Sequence, residues 1–318
     1  MNWQLVPQKL IDGTLQGGVL ALIAIGIVLI YRSSEIFNFA QGHMLMIGAY
    51  LTWFYAQITG NFTENKAIVL TIAVIFALIS AVILGYLIER FALRPMTGQP
   101  LLSIILMTLG LSQLFEGLVS LAFGVEPLQD FPTVYSAADS FKIPIAPRAD
   151  GTPIVFLNQL TIPKARLLAF FIALLTCIGL ILYFRYTDTG LSMRATSENH
   201  ELARSVGIKV PRVFALSWAI AGIIATLGGI LLASISGVST SLALVALAAF
   251  PAILLGGLES FAGAMLGGVL IGLAQALVQA SKLIEVRNSF DIAPYVLLLL
   301  VLVIIPEGLF GQKRIERI

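Results

Sequence analysis

Charge is what this sequence has least of. Only 11% of its 318 residues are Asp, Glu, Lys or Arg, where a soluble domain averages about 25%. With 58% hydrophobic residues and a mean hydropathy of +0.96, the chain cannot clothe a water-facing surface. Cysteine is nearly absent: Cys177 stands alone. That excludes an internal disulfide and a cysteine-based metal site, and its apolar surroundings read as packing. Two histidines, His43 and His200, are too few and too scattered for a metal site. No Gly-Lys dipeptide occurs, so there is no G-x-x-x-x-G-K-[ST] phosphate loop, and any ATP chemistry must come from another chain. No catalytic triad or carboxylate pair stands out, so no catalytic residue is assigned. The net charge of +2 argues neither for nor against an anionic partner, and no nucleic-acid partner is expected.

Long apolar runs are present instead. Nine can be read: 10–31, 36–58, 67–88, 101–123, 167–186, 213–235, 242–258, 261–280 and 293–310. Each approaches the roughly 20 residues that cross a 30 Å hydrocarbon core as a helix. Strands of a membrane β-barrel would be about half as long and would alternate. The expected fold is therefore all-α, a polytopic membrane bundle of about eight to ten spans forming a single domain over 1–318. Two runs are suspect. The second is polar at its start, and the seventh is short and holds Pro251, so either can be broken or re-entrant. The first run ends at Arg32 without a small-residue cleavage site, which reads as a span rather than a signal peptide. No lipidation motif is expected at either end.

Basic residues orient the bundle. Arg90 and Arg94 follow the third run; Arg185, Arg194, Arg204, Lys209 and Arg212 follow the fifth; Lys313, Arg314 and Arg317 end the chain. Two and then four crossings separate these segments, so all three share one side, the cytoplasmic one. The connection 125–166 then faces outward. Its prolines, among them Pro127, Pro132, Pro144, Pro147, Pro153 and Pro163, predict an irregular cap with some strand.

The segment 187–212 looks soluble. Ser197 can cap a short helix, with Glu198 and Glu201 in its first turn, Arg204 in its last and Gly207 as a left-handed stop. Ala195, Leu202 and Val206 fall on one face of that helix. So short a helix is marginal alone and needs a partner. Polar groups also occur within the runs, where they are costly and tend to face an interior or a pathway. Asn38, Gln41 and His43 lie in the second run, and Gln113 and Glu116 in the fourth. The small-residue pairs Gly13/Gly17, Gly263/Gly267 and Gly268/Gly272 read as close helix packing within the chain.

Several blocks resemble a known family. They are Thr187-Asp-Thr-Gly190-Leu-Ser-Met-Arg194-Ala195 with Glu198-Asn199, Leu202-Ala203, Gly207-Ile208 and Arg212-Val213; then Ala249–Leu277; Ile304–Gly311; and Ile36–Tyr50. In this order and spacing they are similar to ABC-importer permeases of the branched-chain (hydrophobic) amino-acid class, LivH type. The resemblance implies a type II-like permease bundle in a bacterial inner membrane, with no cofactor of its own. Its partners would be a second homologous permease subunit, usually a different one, two cytoplasmic ATPase subunits carrying ATP and Mg, and a periplasmic solute-binding protein. The segment 187–212 would be the coupling loop seated in the ATPase groove, through Arg194, Ala195, Glu198, Asn199, Leu202, Ala203, Arg204 and Gly207.

Asn38, Gln41, His43, Gln113 and Glu116 are the candidates for the translocation pathway. The family's usual Asn-Phe-Ala-His-Gly-Glu is here Asn38-Phe39-Ala40-Gln41-Gly42-His43. That departure leaves the solute open among branched-chain or hydrophobic amino acids and the amides, urea and organic acids that relatives handle. The rival expectation is a secondary transporter or facilitator, with Glu116 and His43 coupling an ion.

Overall fold

The computed structural model describes residues 6–96, 98–128, 130–135, 139–144, 159–280, 289–305 and 307–311. The basic tail at Lys313, Arg314 and Arg317 and the middle of the 125–166 connection lie outside the described residues.

The chain is a helical bundle. Its helices are α1 (Val6–Ser34), α2 (Gln41–Gly60), α3 (Lys66–Leu87), α4 (Leu101–Phe123), α5 (Lys164–Tyr186), α6 (Asp188–Glu198), α7 (His200–Ser205), α8 (Val210–Ser236), α9 (Val245–Gly256), α10 (Phe261–Ala280) and α11 (Ser289–Ile304). Among the described residues, six helices are long and apolar enough to cross a membrane: α1, α3 with its extension to Met96, α4, α5, α8 and α10. The remaining lengthwise segments pack into the same bundle. α2 lies against α8 and α3, α9 against α10 and α1, and α11 against α10 and α9.

α1 is apolar all round and accordingly sits at the centre. Leu22 to Ile25 and Ile27 to Ile30 are essentially inaccessible, enclosed by α10, α8, α5 and α9. In contrast, α3, α4 and α5 turn large apolar side chains outward, including Phe76, Ile83, Leu106, Leu121, Phe171 and Leu175. In water such a surface would be untenable; in lipid it is the expected exterior.

Small residues set the helix spacing at the centre. A β-carbon on Gly268 of α10 would lie 2.5 Å from the Ala21 backbone nitrogen on α1, and one on Gly17 would lie 2.7 Å from Val269 Cα. On its other face α10 meets α9, Gly263 against Gly256 and Gly267 against Ala252. Both glycine pairs of α10 are therefore spent on contacts within the chain. Close approach of this kind replaces the hydrophobic drive that lipid removes.

The two suspect runs are both broken. Residues 36–40 are not helical, and α2 starts only at Gln41. A 3-10 turn, Thr240–Leu244, precedes α9. The 125–166 connection contains an antiparallel pair, β1 (Ser140–Pro144) and β2 (Gln159–Pro163). It is pinned to the start of α1 by a reciprocal pair of bonds: Gln8 donates to the Thr161 carbonyl at 2.6 Å and accepts from its N–H at 2.9 Å. Arg166 pairs with Asp12 at 3.3 Å beside it. At the opposite end, α3 passes through a π turn, Ile88–Leu93. There the buried Glu89 carboxylate accepts two bonds from Arg94, at 3.1 and 3.0 Å.

Gly268→Val should force α1 and α10 apart, since no side chain can yield there. We expect a stability loss at or above the roughly 1–3 kcal/mol of ordinary overpacking, read as a lower melting midpoint in detergent. Gly110→Ala on α4, which faces open space, should leave the midpoint unchanged or slightly raised.

Candidate functional site

Two places concentrate polar chemistry. The first lies within the bundle. After α1, Glu35 adopts a left-handed conformation, φ 56°, and the chain turns back among the helices. Residues 36–40 then run inward without helical hydrogen bonds from the level of Arg94 and Arg204 to the buried Asn38 and Ala40, where each orphaned backbone group costs several kcal/mol. Side chains supply the missing partners. Asn38 Oδ1 accepts the Ala40 N–H at 3.0 Å, and Asn38 Nδ2 donates to Gln41 Oε1 at 3.0 Å. Gln41 Nε2 donates to the Ala221 carbonyl of α8 at 3.3 Å. Thr108 of α4 donates to the Phe37 carbonyl at 3.4 Å. Phe39 stacks on Phe250 of α9, with centroids 5.2 Å apart. Gly26 of α1 makes room: a β-carbon there would lie 2.5 Å from Gln41 Nε2.

Asn38 and Gln41 are consequently buried, at 0% and 1% exposure. The bonds of Asn38 are local, to Ala40, Gln41 and Met44 Sδ, and that of Gln41 to Ala221 crosses to α8. Gln41 bonds at residue 221 of a helix that begins at 210, about 16 Å in from its end at 1.5 Å per residue. α2 thus begins near mid-membrane.

His43 lies two residues into α2 and reaches α4, where its Nε2 is 3.4 Å from Glu116 Oε2. The imidazole is mostly covered, at 14% exposure, while the carboxylate is half open, at 49%. His43 Nδ1 is buried with no hydrogen-bond partner among the described residues. Gln113 shares the outward side of α4, and Gly110 and Gly117 on that helix have nothing before them within 4 Å. The structure therefore separates the five polar candidates. Asn38 and Gln41 lie inside, His43 and Glu116 form a pair at the surface of the bundle, and Gln113 is exposed one turn away.

The second place is the segment 187–212. The sequence predicts one helix from Ser197 to Gly207; the structure has two. Thr187 starts α6 ten residues earlier, its hydroxyl accepting the Gly190 N–H at 3.1 Å. Ser197 is interior to α6 and donates back to the Arg194 carbonyl at 2.8 Å. The break comes at Asn199, whose extended backbone ends α6 and whose Oδ1 accepts the N–H groups of Glu201 and Leu202, both at 2.9 Å. Ala195 therefore sits on a different helix from Leu202 and Val206, and the expected common face does not form. Thr187-Asp188 and Asn199 were the cap signals that local reasoning passed over.

Gly207 does stop α7, at φ 88°. Its N–H bonds the Arg204 carbonyl and that of Ile208 bonds Ala203, each at 3.0 Å, which satisfies the last carbonyls of the helix. Of the residues expected at a partner surface, Glu198, Asn199, Leu202, Arg204 and Gly207 are exposed, and Ala203 is buried beneath them. Arg194 is turned inward, donating to the Phe184 carbonyl at 2.6 Å, where it ties α6 to the end of α5. Leu191, Leu202 and Val206 stand 58%, 66% and 76% exposed. All three are apolar side chains left open on a charged segment.

The model of the family described as branched-chain amino acid transport system / permease component matches residues 9–305. The high-affinity branched-chain amino acid transport system permease protein LivH of Salmonella typhimurium is 29% identical over 98% of this chain and 97% of its own length. The permease protein BraD of Pseudomonas aeruginosa is also 29% identical, again over 98% and 97%. A probable LivH of Methanocaldococcus jannaschii is 26% identical over 94% and 91%. No solved structure matches.

Asn38→Leu should orphan the Ala40 N–H and the Gln41 side-chain oxygen Oε1 together. The expected cost is about 1–3 kcal/mol for each buried group left unpaired, seen as a lower melting midpoint and faster amide exchange around 38–42.

Proposed function

Since the chain belongs to the branched-chain amino acid transport permease family, we propose that it is the permease of an ATP-driven importer taking up branched-chain or similar hydrophobic amino acids. The observation that carries this reading is the exposed apolar set Leu191, Leu202 and Val206 on helices whose ends are capped at Thr187, Asn199 and Gly207. The set is rigid, partner-seeking and outside the bundle. It is the surface on which a cytoplasmic ATPase would push, with Glu198 and Arg204 at its edge. No nucleotide-binding motif occurs in the chain, so ATP and Mg would be held by two ATPase subunits. A binding protein would deliver the solute at the opposite, outer face, beside the β1–β2 pair.

The pathway we propose runs along the outward side of α4. A carboxylate facing hydrocarbon is disfavoured by about 2.5–3.5 kcal/mol on insertion scales. Glu116 therefore meets water and a second, homologous permease subunit. In this reading Gln113, Glu116 and His43 line the path, and Asn38 and Gln41 hold its wall. The His43–Glu116 pair also favours the rival reading, an ion-coupled carrier, because it sets an imidazole against a carboxylate between α2 and α4.

Uptake into proteoliposomes separates the two. An importer requires the ATPases and ATP; uptake driven by a proton or sodium gradient in their absence would select the carrier. Leu202→Asp with Val206→Asp should lower ATPase capture by roughly tenfold or more, since truncating a buried interface anchor costs 2 kcal/mol or above. The melting midpoint should be unmoved, because both side chains are exposed. Undiminished capture and uptake would remove the coupling role.

A further inference from the structure

Beside the coupling segment is a groove of about 730 Å³ lined by Tyr86, Arg94, Arg204, Lys209 and Arg212, with the turn Gly207–Pro211 as its floor and Ala215 at its edge. We propose that it holds the phosphate headgroup of an anionic phospholipid. Four cations line it and no carboxylate does. Arg94 is already neutralised by Glu89, which leaves Arg204, Lys209 and Arg212. None of these three has a carboxylate within ion-pairing distance among the described residues. Lys209 and Arg212 are both exposed. The start of α8 adds the positive end of its dipole to the same place.

The position fits a lipid rather than a soluble anion. α3 runs from Lys66 to Leu87, 22 residues, or about 33 Å, close to the hydrocarbon thickness. Tyr86 therefore falls at the headgroup level, where tyrosine is favoured. From it, the exposed side chains Ile83, Val82, Ile79 and Ile75 run back along α3 as a continuous apolar track. A headgroup on the three cations would lay its acyl chains on that track. An acidic protein surface would match the charge but would leave the sideways opening onto the apolar face of α3 unused. Because Arg204 belongs to α7 and Arg94 to the extension of α3, the bound lipid would bridge the coupling helix to the outer wall of the bundle.

The test uses the full-length permease in neutral detergent, with phosphatidylglycerol titrated against phosphatidylcholine and retained lipid read by native mass spectrometry. Phosphatidylglycerol should be retained in preference. Lys209→Gln with Arg212→Gln should weaken its retention roughly 30-fold, at about 1 kcal/mol per charge. Lys209→Arg with Arg212→Lys should keep it, which separates lost charge from lost fold. Inorganic phosphate should not displace the lipid. Equal retention by the neutral double variant would overturn the proposal. So would displacement by inorganic phosphate at matched concentration, which marks a free-anion site. Expulsion of the lipid by the assembled ATPase subunits, which marks a protein contact, would overturn it as well.

Discussion

A backbone inside hydrocarbon must find all its hydrogen-bond partners within the protein, and this chain meets that constraint at its hardest point through two side-chain amides. The stretch 35–40 abandons helical geometry as it enters the bundle from beside α6 and α7. Asn38 and Gln41 restore the lost partners and pass the connection on to the Ala221 carbonyl. Much else depends on that relay. It fixes where α2 begins, and thereby sets His43 opposite Glu116. It requires Gly26 on α1 and Gly42 at the start of α2, because a β-carbon at either would strike Gln41 or the backbone of Ala243. The broken second run and the 3-10 break before α9 meet at this point, so two irregular segments are shielded by each other.

The same economy explains the distribution of packing. Where lipid removes the hydrophobic drive between helices, contact area and backbone proximity must substitute. The chain concentrates both around α1 and α10, where glycine meets glycine. It leaves α3, α4 and α5 with apolar outer faces that no other described residue covers. The centre is consequently stiff, and polar groups on the periphery, Gln113 and Glu116, need something other than hydrocarbon before them.

The architecture was largely legible in the sequence because hydropathy reports directly on the medium. Runs of about 20 apolar residues, the polar start of the second and the proline-rich 125–166 stretch each pointed to what the structure contains, whereas Pro251 sits inside α9 and the break in the seventh run lies before that helix, at 240–244. The short, capped helical character of 187–212 was legible, but not its division into two helices. Ser197 followed by Glu198 and Glu201 is a sound cap pattern, yet Thr187 lies where α5 ends and starts a helix first, so Ser197 is already interior when the chain reaches it. Caps compete, and the earlier nucleus with a covalently adjacent helix to build on prevails. Asn38 and Gln41 were recognised as special, but sequence alone offers no means of telling a polar residue that lines a path from one that repairs a backbone. Their burial, at 0% and 1%, and the backbone groups they satisfy depend on tertiary packing.

These local facts combine into a mechanical connection. The coupling segment is attached at both ends by contacts that do not stretch easily. Arg194 and the close approach of Gly190 to the Phe184 carbonyl fasten α6 to α5. The capped turn after Gly207 fastens α7 to α8. α8 carries the Ala221 carbonyl that accepts from Gln41 at 3.3 Å, so a single helix joins the exposed segment 187–212 to the break at 36–40.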